Sequence, residues 1–508
     1  MKKTTIISIL LIMTMLLSSL GIVQVHAQDE EFTVYVPNVY YDSAYDDSYY
    51  TSGLGISQSA YESLMRTVAS GVLNCSASIP LTSYGITMTQ AHSDCLASLV
   101  YKNDPRFFNV ASFSMSYNSA CITKLNVSYD HGRSEFETML AECDETVESL
   151  VGDLRNAILP DAEKALLVHD RLAVLNEYDI TYNLPNTHDM YGALVNHISV
   201  CEGYAQAYCY LLDSLGIRSY MITSDTLNHA WNIVYIDGTK YHVDVTWDDP
   251  TYDITGRVLH NNFLLSSSAL YNAGSNGHVA NDYDTSPVDT TYDTYYWQDS
   301  STEFRYLNGR LYYIDEESET LSVRENGAST QLVSVSDTWR SQGGGYWLVN
   351  FSKLSGNSRY LFYSTAKKVF RYDPATGDSS VAYEPDLSSY NSFSIYGFKA
   401  DSKYFYLDVY NTPNFESDTK TRYGIKYEYT DPVPVQILYG DITGDGEVNT
   451  VDSTFAFRCD AGLIYLTDEQ IAAGDVDGDL EVTSMDATLI LKFDAGLIDA
   501  FPVESKID

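Results

Sequence analysis

Between Val200 and Pro250 a cysteine, a histidine and an aspartate follow one another as Cys201, His229 and Asp244. A thiolate attacks carbonyl carbon, an imidazole in contact with it moves the proton, and a carboxylate behind the imidazole holds the useful tautomer. The chemistry open to such a set is acyl transfer through a thioester. The stretch reads V-C-E-G-Y-A-Q-A-Y from Val200, N-H-A-W-N from Asn228 and Y-H-V-D-V-T-W-D-D-P from Tyr241.

For these groups to act together, a helix start and a hairpin must converge. Tyr204, Tyr208, Leu211, Leu212 and Leu215 keep helical spacing behind Cys201, with Ser199 the expected N-cap and Gly216 the stop. That places the thiol at the positive end of a helix dipole, which favours thiolate. Residues 228–236 and 240–247 read as two strands about Asp237-Gly238, a two-residue hairpin signal. Such a turn pairs Ile236 with Thr239, so Trp231 faces Asp244 and His229 is its diagonal neighbour on the same face, about 7 Å away at Cα. Cys209 is expected to be a buried small hydrophobe, His242 a structural histidine, and Asp248 and Asp249 turn residues before Pro250.

These three segments, in this order, resemble the core motifs of the transglutaminase-like superfamily, most strongly over residues 162–250. Asn103-Asp104-Pro105-Arg106-Phe107-Phe108 is similar to a weaker lead-in of bacterial members. The resemblance implies a papain-like fold with Cys201 as nucleophile, His229 as general base and acid, and Asp244 as the orienting carboxylate. It also implies an oxyanion held by the Cys201 N–H and a second donor. No Gln lies between Leu159 and Val200 to be that donor, which leaves Tyr191 and Asn196 as candidates. Bacterial members of this architecture are more often peptidase-like hydrolases than cross-linking enzymes. Both proceed through the same thioester and differ in the acceptor.

The 508 residues exceed one core, and 44% hydrophobic with 19% charged residues is the balance of folded protein. A formal net charge of −39 excludes nucleic acid and anionic membrane surfaces as partners and suits an exported chain with clustered cation ligands. Lys2 and Lys3 precede an apolar run from Thr5 to Leu20 and a small-residue site at Val25-His26-Ala27, a secretory signal peptide over residues 1–27. No later run is long enough to span a bilayer. Seven cysteines, an odd number, leave at least one thiol outside any intrachain disulfide.

The fold class read from the pattern is α+β. Residues 28–140 form an N-terminal α+β lead-in, opening with a poorly ordered stretch to about Tyr50, then helices over 57–71 and 91–100 and strands over 107–110, 113–115 and 122–129. Residues 141–287 form the papain-like core, including an acidic helix ending before Pro160 and a helix over 162–175 with a Leu166, Leu167, Leu172 stripe. Residues 288–430 form an all-β tyrosine-rich domain whose alternating aromatics read as the buried face of hairpins. Residues 431–437 are a proline-stiffened linker.

Residues 438–503 repeat themselves. D-I-T-G-D-G-E-V-N-T-V-D from Asp441 recurs 34 residues later as D-V-D-G-D-L-E-V-T-S-M-D from Asp475, and Asp460-Ala461-Gly462-Leu463-Ile464 recurs at Asp494 in the same register. Twelve-residue loops with this oxygen spacing suit Ca²⁺. Loop one offers Asp441, Thr443, Asp445, Asn449 and Asp452 with the Glu447 carbonyl; loop two offers Asp475, Asp477, Asp479, Thr483 and Asp486 with the Glu481 carbonyl. The duplication resembles a type I dockerin, a module that takes two Ca²⁺ ions and docks on a scaffoldin cohesin. By that resemblance Thr450, Val451, Ser484 and Met485 are partner-recognition residues. Thr443 in place of Asn or Asp, and Leu480 in place of a turn glycine, depart from the family pattern.

The sequence reading is therefore a secreted, cellulosome-associated cysteine enzyme acting on peptide or protein amides, most simply by hydrolysis, with no cofactor for catalysis. The alternatives are a non-catalytic binding or adhesion component and a protein cross-linking acyltransferase. Nothing resembles the paired carboxylates of a glycosidase.

Overall fold

The computed structural model describes residues 31–34, 47–102, 104–249, 251, 253–272, 277–325, 327–340, 346–347, 350–388, 393–410, 423–429, 438–479 and 481–503. The signal segment, the 431–437 linker and Leu480 lie outside them. Contacts divide the chain into two units, one of residues 1–143, 175–248 and 261–295, the other of residues 144–174, 249–260 and 296–508. Among the described residues no helix is long and apolar enough to cross a membrane.

The first unit begins with β1 (Glu31–Val34), α1 (Asp47–Leu54), α2 (Gln58–Leu73), β2 (Ser78–Pro80), α3 (Gln90–Lys102), β3 (Val110–Tyr117) and β4 (Ile122–Tyr129). The strands form one antiparallel sheet in the order β1-β3-β4-β2. Ser57 caps α2, accepting the Ala60 N–H, and Tyr61, Leu64, Val68 and Val72 turn its apolar stripe to the core. Two expectations are corrected here. The stretch before Tyr50 carries β1 and the start of α1, because β1 gains a ladder from β3. Residues 107–109 belong to a 3₁₀ turn, Pro105–Asn109, not a strand. Asp104 starts that turn by accepting the Arg106 N–H and pairing with the Arg106 guanidinium.

The chain continues through α4 (Arg133–Val151), α5 (Asp161–Leu175), β5 (Glu177–Tyr178), β6 (Ile198–Ser199) and α6 (Cys201–Asp213). Then come β7 (Ser219–Ser224), β8 (His229–Ile236), β9 (Thr239–Val243), α7 (Val245–Asp248), β10 (Phe263–Leu265) and α8 (Ser267–Asn272). β10-β9-β8-β7 form an antiparallel sheet, and β5 pairs with β6 in parallel. Asp237 and Gly238 both take positive φ, +51° and +80°, so the turn has the twist a two-residue hairpin needs. Ile236 pairs with Thr239 and Asn232 with Val243, the register the turn predicts. The second strand ends earlier than its alternation implied, since 245–248 wind into α7 instead.

In the second unit the tyrosine-rich region is three antiparallel sheets in succession, β11–β14 (within 305–334), β17–β20 (within 354–383) and β21–β23 (within 394–428), with a small β15–β16 pair at 339–347. Tyr312, Leu321, Leu361 and Tyr372 share one core between the first two, and Phe362, Val369, Ile395 and Phe405 another between the last two. The aromatic runs are therefore core residues. Three helices, α9 (Thr450–Asp460), α10 (Asp468–Gly474) and α11 (Ser484–Asp494), follow around Ile442, Ala456, Val476, Ala487 and Ile490.

Candidate active site

Cys201 is the first residue of α6. The expected cap does not form. Val200 is the N-cap residue, with no side-chain cap bond, and Ser199 is drawn into β6 by its parallel pairing with Tyr178. The Val200 N–H bonds Thr187 O at 2.8 Å, which fixes the approach to the helix. Gly203 is what permits that approach: a Cβ there would stand 2.7 Å from Thr187 O, 2.8 Å from Ser199 Cβ and 2.9 Å from Asp189 O. Two of these are backbone oxygens that cannot swing aside, so Gly203→Ala should destabilise the fold by about 1–3 kcal/mol. An unchanged thermal midpoint for that variant would contradict this packing account.

The hairpin supplies the other two groups. His229 opens β8, and Asp244 follows β9 at the turn into α7. Their side chains meet: His229 Nε2 lies 2.6 Å from Asp244 Oδ2. Cys201 hydrogen-bonds the same imidazole. The ring of His229 stacks between Trp231 at 5.5 Å and Trp247 at 5.2 Å between centroids. Asp244 is locked in turn by the Trp247 N–H on Oδ1 at 3.1 Å and by its own N–H on Asn262 O at 2.9 Å. Cys201, His229 and Asp244 are 3%, 5% and 0% exposed, so their mutual electrostatics act with little solvent screening.

Burial opposes a charged ring at His229. The Asp244 carboxylate, the Cys201 sulfur and hydrogen bonds to both outweigh that and push His229 up to about 10. Burial likewise opposes charge on Asp244, but the His229 charge and N–H bonds from His229 and His278 hold it well below the usual carboxylate range. An imidazolium held by the Asp244 carboxylate and in contact with the Cys201 sulfur can favour a thiolate and return a proton to a leaving group.

The remaining polar residues of the stretch fall elsewhere. Asn232 Nδ2 donates to Ala205 O at 2.9 Å and to Cys209 Sγ at 3.1 Å, stapling the hairpin to α6, and desolvation pushes the Cys209 thiol up to about 11. His242 accepts the Trp231 indole N–H at Nδ1 and faces Ser267 Oγ at Nε2. Asp248 takes the Asn262 backbone and side-chain N–H groups, holding the turn closed. Neither candidate for the second oxyanion donor is at the site: the Tyr191 hydroxyl donates to Glu142 at 2.6 Å, and Asn196 is exposed at the end of a π-helical turn. All seven cysteines are free thiols.

Two residues of the site were missed. His278 Nε2 lies 2.8 Å from Asp244 Oδ2, and the ring is fully buried. Its sequence neighbourhood has no periodicity that would have located it. Tyr178 faces Ser199 across the β5–β6 pair, two residues before Cys201. Burial, a hydrogen bond with Tyr182 and the nearby Cys201 sulfur all push its hydroxyl up. A two-residue parallel pairing leaves no alternation in the sequence to read.

The C-terminal loops gather carboxylates around backbone N–H groups. In loop one Asp441 accepts the Gly444, Asp445 and Gly446 N–H groups, and Asp452 accepts those of Thr443 and Asn449. In loop two Asp475 accepts Gly478 and Asp479, and Asp486 accepts Val476, Asp477 and Thr483. Asn449 with Asp452 and Thr483 with Asp486 form capping boxes at α9 and α11. Oxygens of Asp475, Asp477 and Asp486 lie within 4.8 Å of one another, and burial with neighbouring acids pushes Asp477 and Asp441 up. Clustered, partly buried carboxylates of this kind suit a hard divalent cation. Val451 and Met485, at matching positions on the two helices, are 45% and 57% exposed.

Comparison with known proteins finds a family match in each of two segments. Residues 148–245 match the transglutaminase-like superfamily, and residues 439–493 match the type I dockerin domain. Among curated proteins none matches the chain. One similar solved structure is the third cohesin ScaC in complex with the ScaB dockerin with a mutation in its N-terminal helix (IN to SI), from Acetivibrio cellulolyticus, displaying a type I interaction. It is 32% identical over 14% of this chain and 99% of that one, with a TM-score of 0.14. A crystal structure of a TGase is 15% identical over 28% of this chain, with a TM-score of 0.21, and the chain spans 46% of its length.

Proposed function

From a chain that carries a transglutaminase-like core and a type I dockerin, we propose a secreted cysteine hydrolase of peptide or protein amides, held on a cellulosome-like complex. The observation that carries this reading is the buried hydrogen-bonded series Cys201–His229–Asp244 at a helix start. The Cys201 thiolate attacks the amide carbon. The oxyanion takes the Cys201 N–H, and His229 gives its proton to the leaving nitrogen as the C–N bond breaks. His229 then takes a proton from water as the water oxygen attacks the thioester, and the C–S bond breaks to release the acid and restore the thiolate–imidazolium pair. Asp244 keeps the ring oriented through both halves.

Type I dockerins bind calcium. Here Asp441, Thr443, Asp445, the Glu447 carbonyl, Asn449 and Asp452 would hold one ion, and Asp475, Asp477, Asp479, the Glu481 carbonyl, Thr483 and Asp486 the other. Residues 438–503 are then the docking module, with Thr450, Val451, Ser484 and Met485 offered to a scaffoldin cohesin. Residues 1–27 direct export.

The test is a peptide mixture from a digested proteome, incubated with wild type or with Cys201→Ala, with and without a fluorescent primary amine. Mass spectrometry is expected to show cleavage or side-chain deamidation with wild type and at least about 10³-fold less with the variant. Equal product from both overturns the reading. Amine incorporation exceeding hydrolysis overturns the hydrolase in favour of cross-linking.

A further inference from the structure

Asp244 Oδ2 receives two imidazoles: His229 Nε2 at 2.6 Å and His278 Nε2 at 2.8 Å. A carboxylate only accepts, so each ring places an N–H on that one oxygen. His278 is held for this task from several sides. Its ring packs 4.0 Å from Trp247 and 4.9 Å from Trp231, and its backbone carbonyl accepts the Tyr283 hydroxyl at 2.8 Å. Its other nitrogen, Nδ1, is buried and has no hydrogen-bond partner among the described residues. A buried acceptor left unmatched costs folding free energy, and groups of that kind call for an explanation outside stability. The titratable groups around His278 are Asp244 and His229 on the hairpin, with His242 and Tyr283 packed against the same Trp231 ring.

Resting on the cysteine-hydrolase reading above, we propose that His278 is a positioning residue for that reaction, its Nε2–H fixing the Asp244 carboxylate in the orientation that holds His229. With the Trp247 N–H on Oδ1 and His278 on Oδ2, the carboxylate cannot rotate away when His229 alternates between imidazole and imidazolium. The shared oxygen also spreads its charge over two donors, so the His229 pair is tempered and the proton can leave when the amine departs.

The test compares His278→Phe, which keeps a ring without the donor, with His278→Gln, which keeps an N–H of similar reach, and His278→Asn, whose N–H falls short. Alkylation of Cys201 by iodoacetamide is followed peptide by peptide across pH, beside thermal unfolding of each full-length variant. His278→Phe and His278→Asn are expected to lose about ten-fold or more in rate near neutral pH and to change the pH profile, with His278→Gln close to wild type. A purely packing role would shift the thermal midpoints and leave the pH profile in place, and that result overturns the proposal. If His278→Phe fails to fold, equal profiles for Gln and Asn overturn it just as well. Failure of the underlying reading looks different: wild-type Cys201 would then react no faster than Cys209, whatever stands at 278.

Discussion

His229→Gln should slow alkylation of Cys201 by iodoacetamide at pH 6 by about ten-fold, and should turn a nearly flat pH profile into a steep one. An imidazolium beside a thiol favours the thiolate, and a Brønsted slope of about 0.4–0.5 means that the nucleophilicity lost with basicity offsets only part of that gain. The net gain is what Gln, which carries no charge, forfeits. The sign follows from His229 being pushed up to about 10: the ring is charged at every pH below that, so its support for a thiolate holds from pH 6 to 8. Without the charge, the rate should climb about ten-fold per pH unit toward the ordinary thiol range. Cys209, pushed up to about 11, is the slow internal reference in the same digest. A His229→Gln profile superimposable on wild type would mean that the imidazole does not support the thiolate.

Asp170→Asn should cost the second unit about 3–5 kcal/mol, the cost of removing one partner from a buried hydrogen-bonded pair. Asp170 is fully buried on α5. Its Oδ1 stands 2.9 Å from both His169 Nδ1 and His260 Nε2, and its Oδ2 accepts the Phe304 N–H at 2.6 Å. His260 Nδ1 faces the Ser300 carbonyl at 3.0 Å, so both of its nitrogens point at groups that only accept. An amide has one acceptor and one donor; its NH₂ would face either an imidazole N–H or the Phe304 N–H. Pulse proteolysis in urea reads the change directly. A shift below about 1 kcal/mol would show that this cluster does not tie the second unit together.

What the sequence made legible was local. The Asp237-Gly238 pair dictates a turn with two positive φ values, and the register of β8 on β9 follows, which brings His229 to Asp244. The twelve-residue loops and their 34-residue repeat are likewise contained in short words. Ser199 misled because a cap preference is outweighed by a strand pairing with Tyr178, more than twenty residues away and invisible to periodicity. The strand thought to run to Trp247 stops because Asp244 Oδ1 captures the Trp247 N–H and begins a helical turn. His278 was unreadable for the same reason as Tyr178: each reaches the site through contacts distant in sequence. The Leu166, Leu167, Leu172 stripe on α5 was visible, but the helix is buried well beyond it, since His169 and Asp170 are inside too.

The division of the chain has a bearing on how it can be cut. Residues 144–174 and 249–260 belong by contact with the tyrosine-rich sheets, so the backbone passes from one unit to the other five times before it reaches residue 296. A fragment beginning at residue 296 therefore omits two segments, 144–174 and 249–260, that cluster with the sheets, and a fragment ending at residue 295 keeps both without those partners.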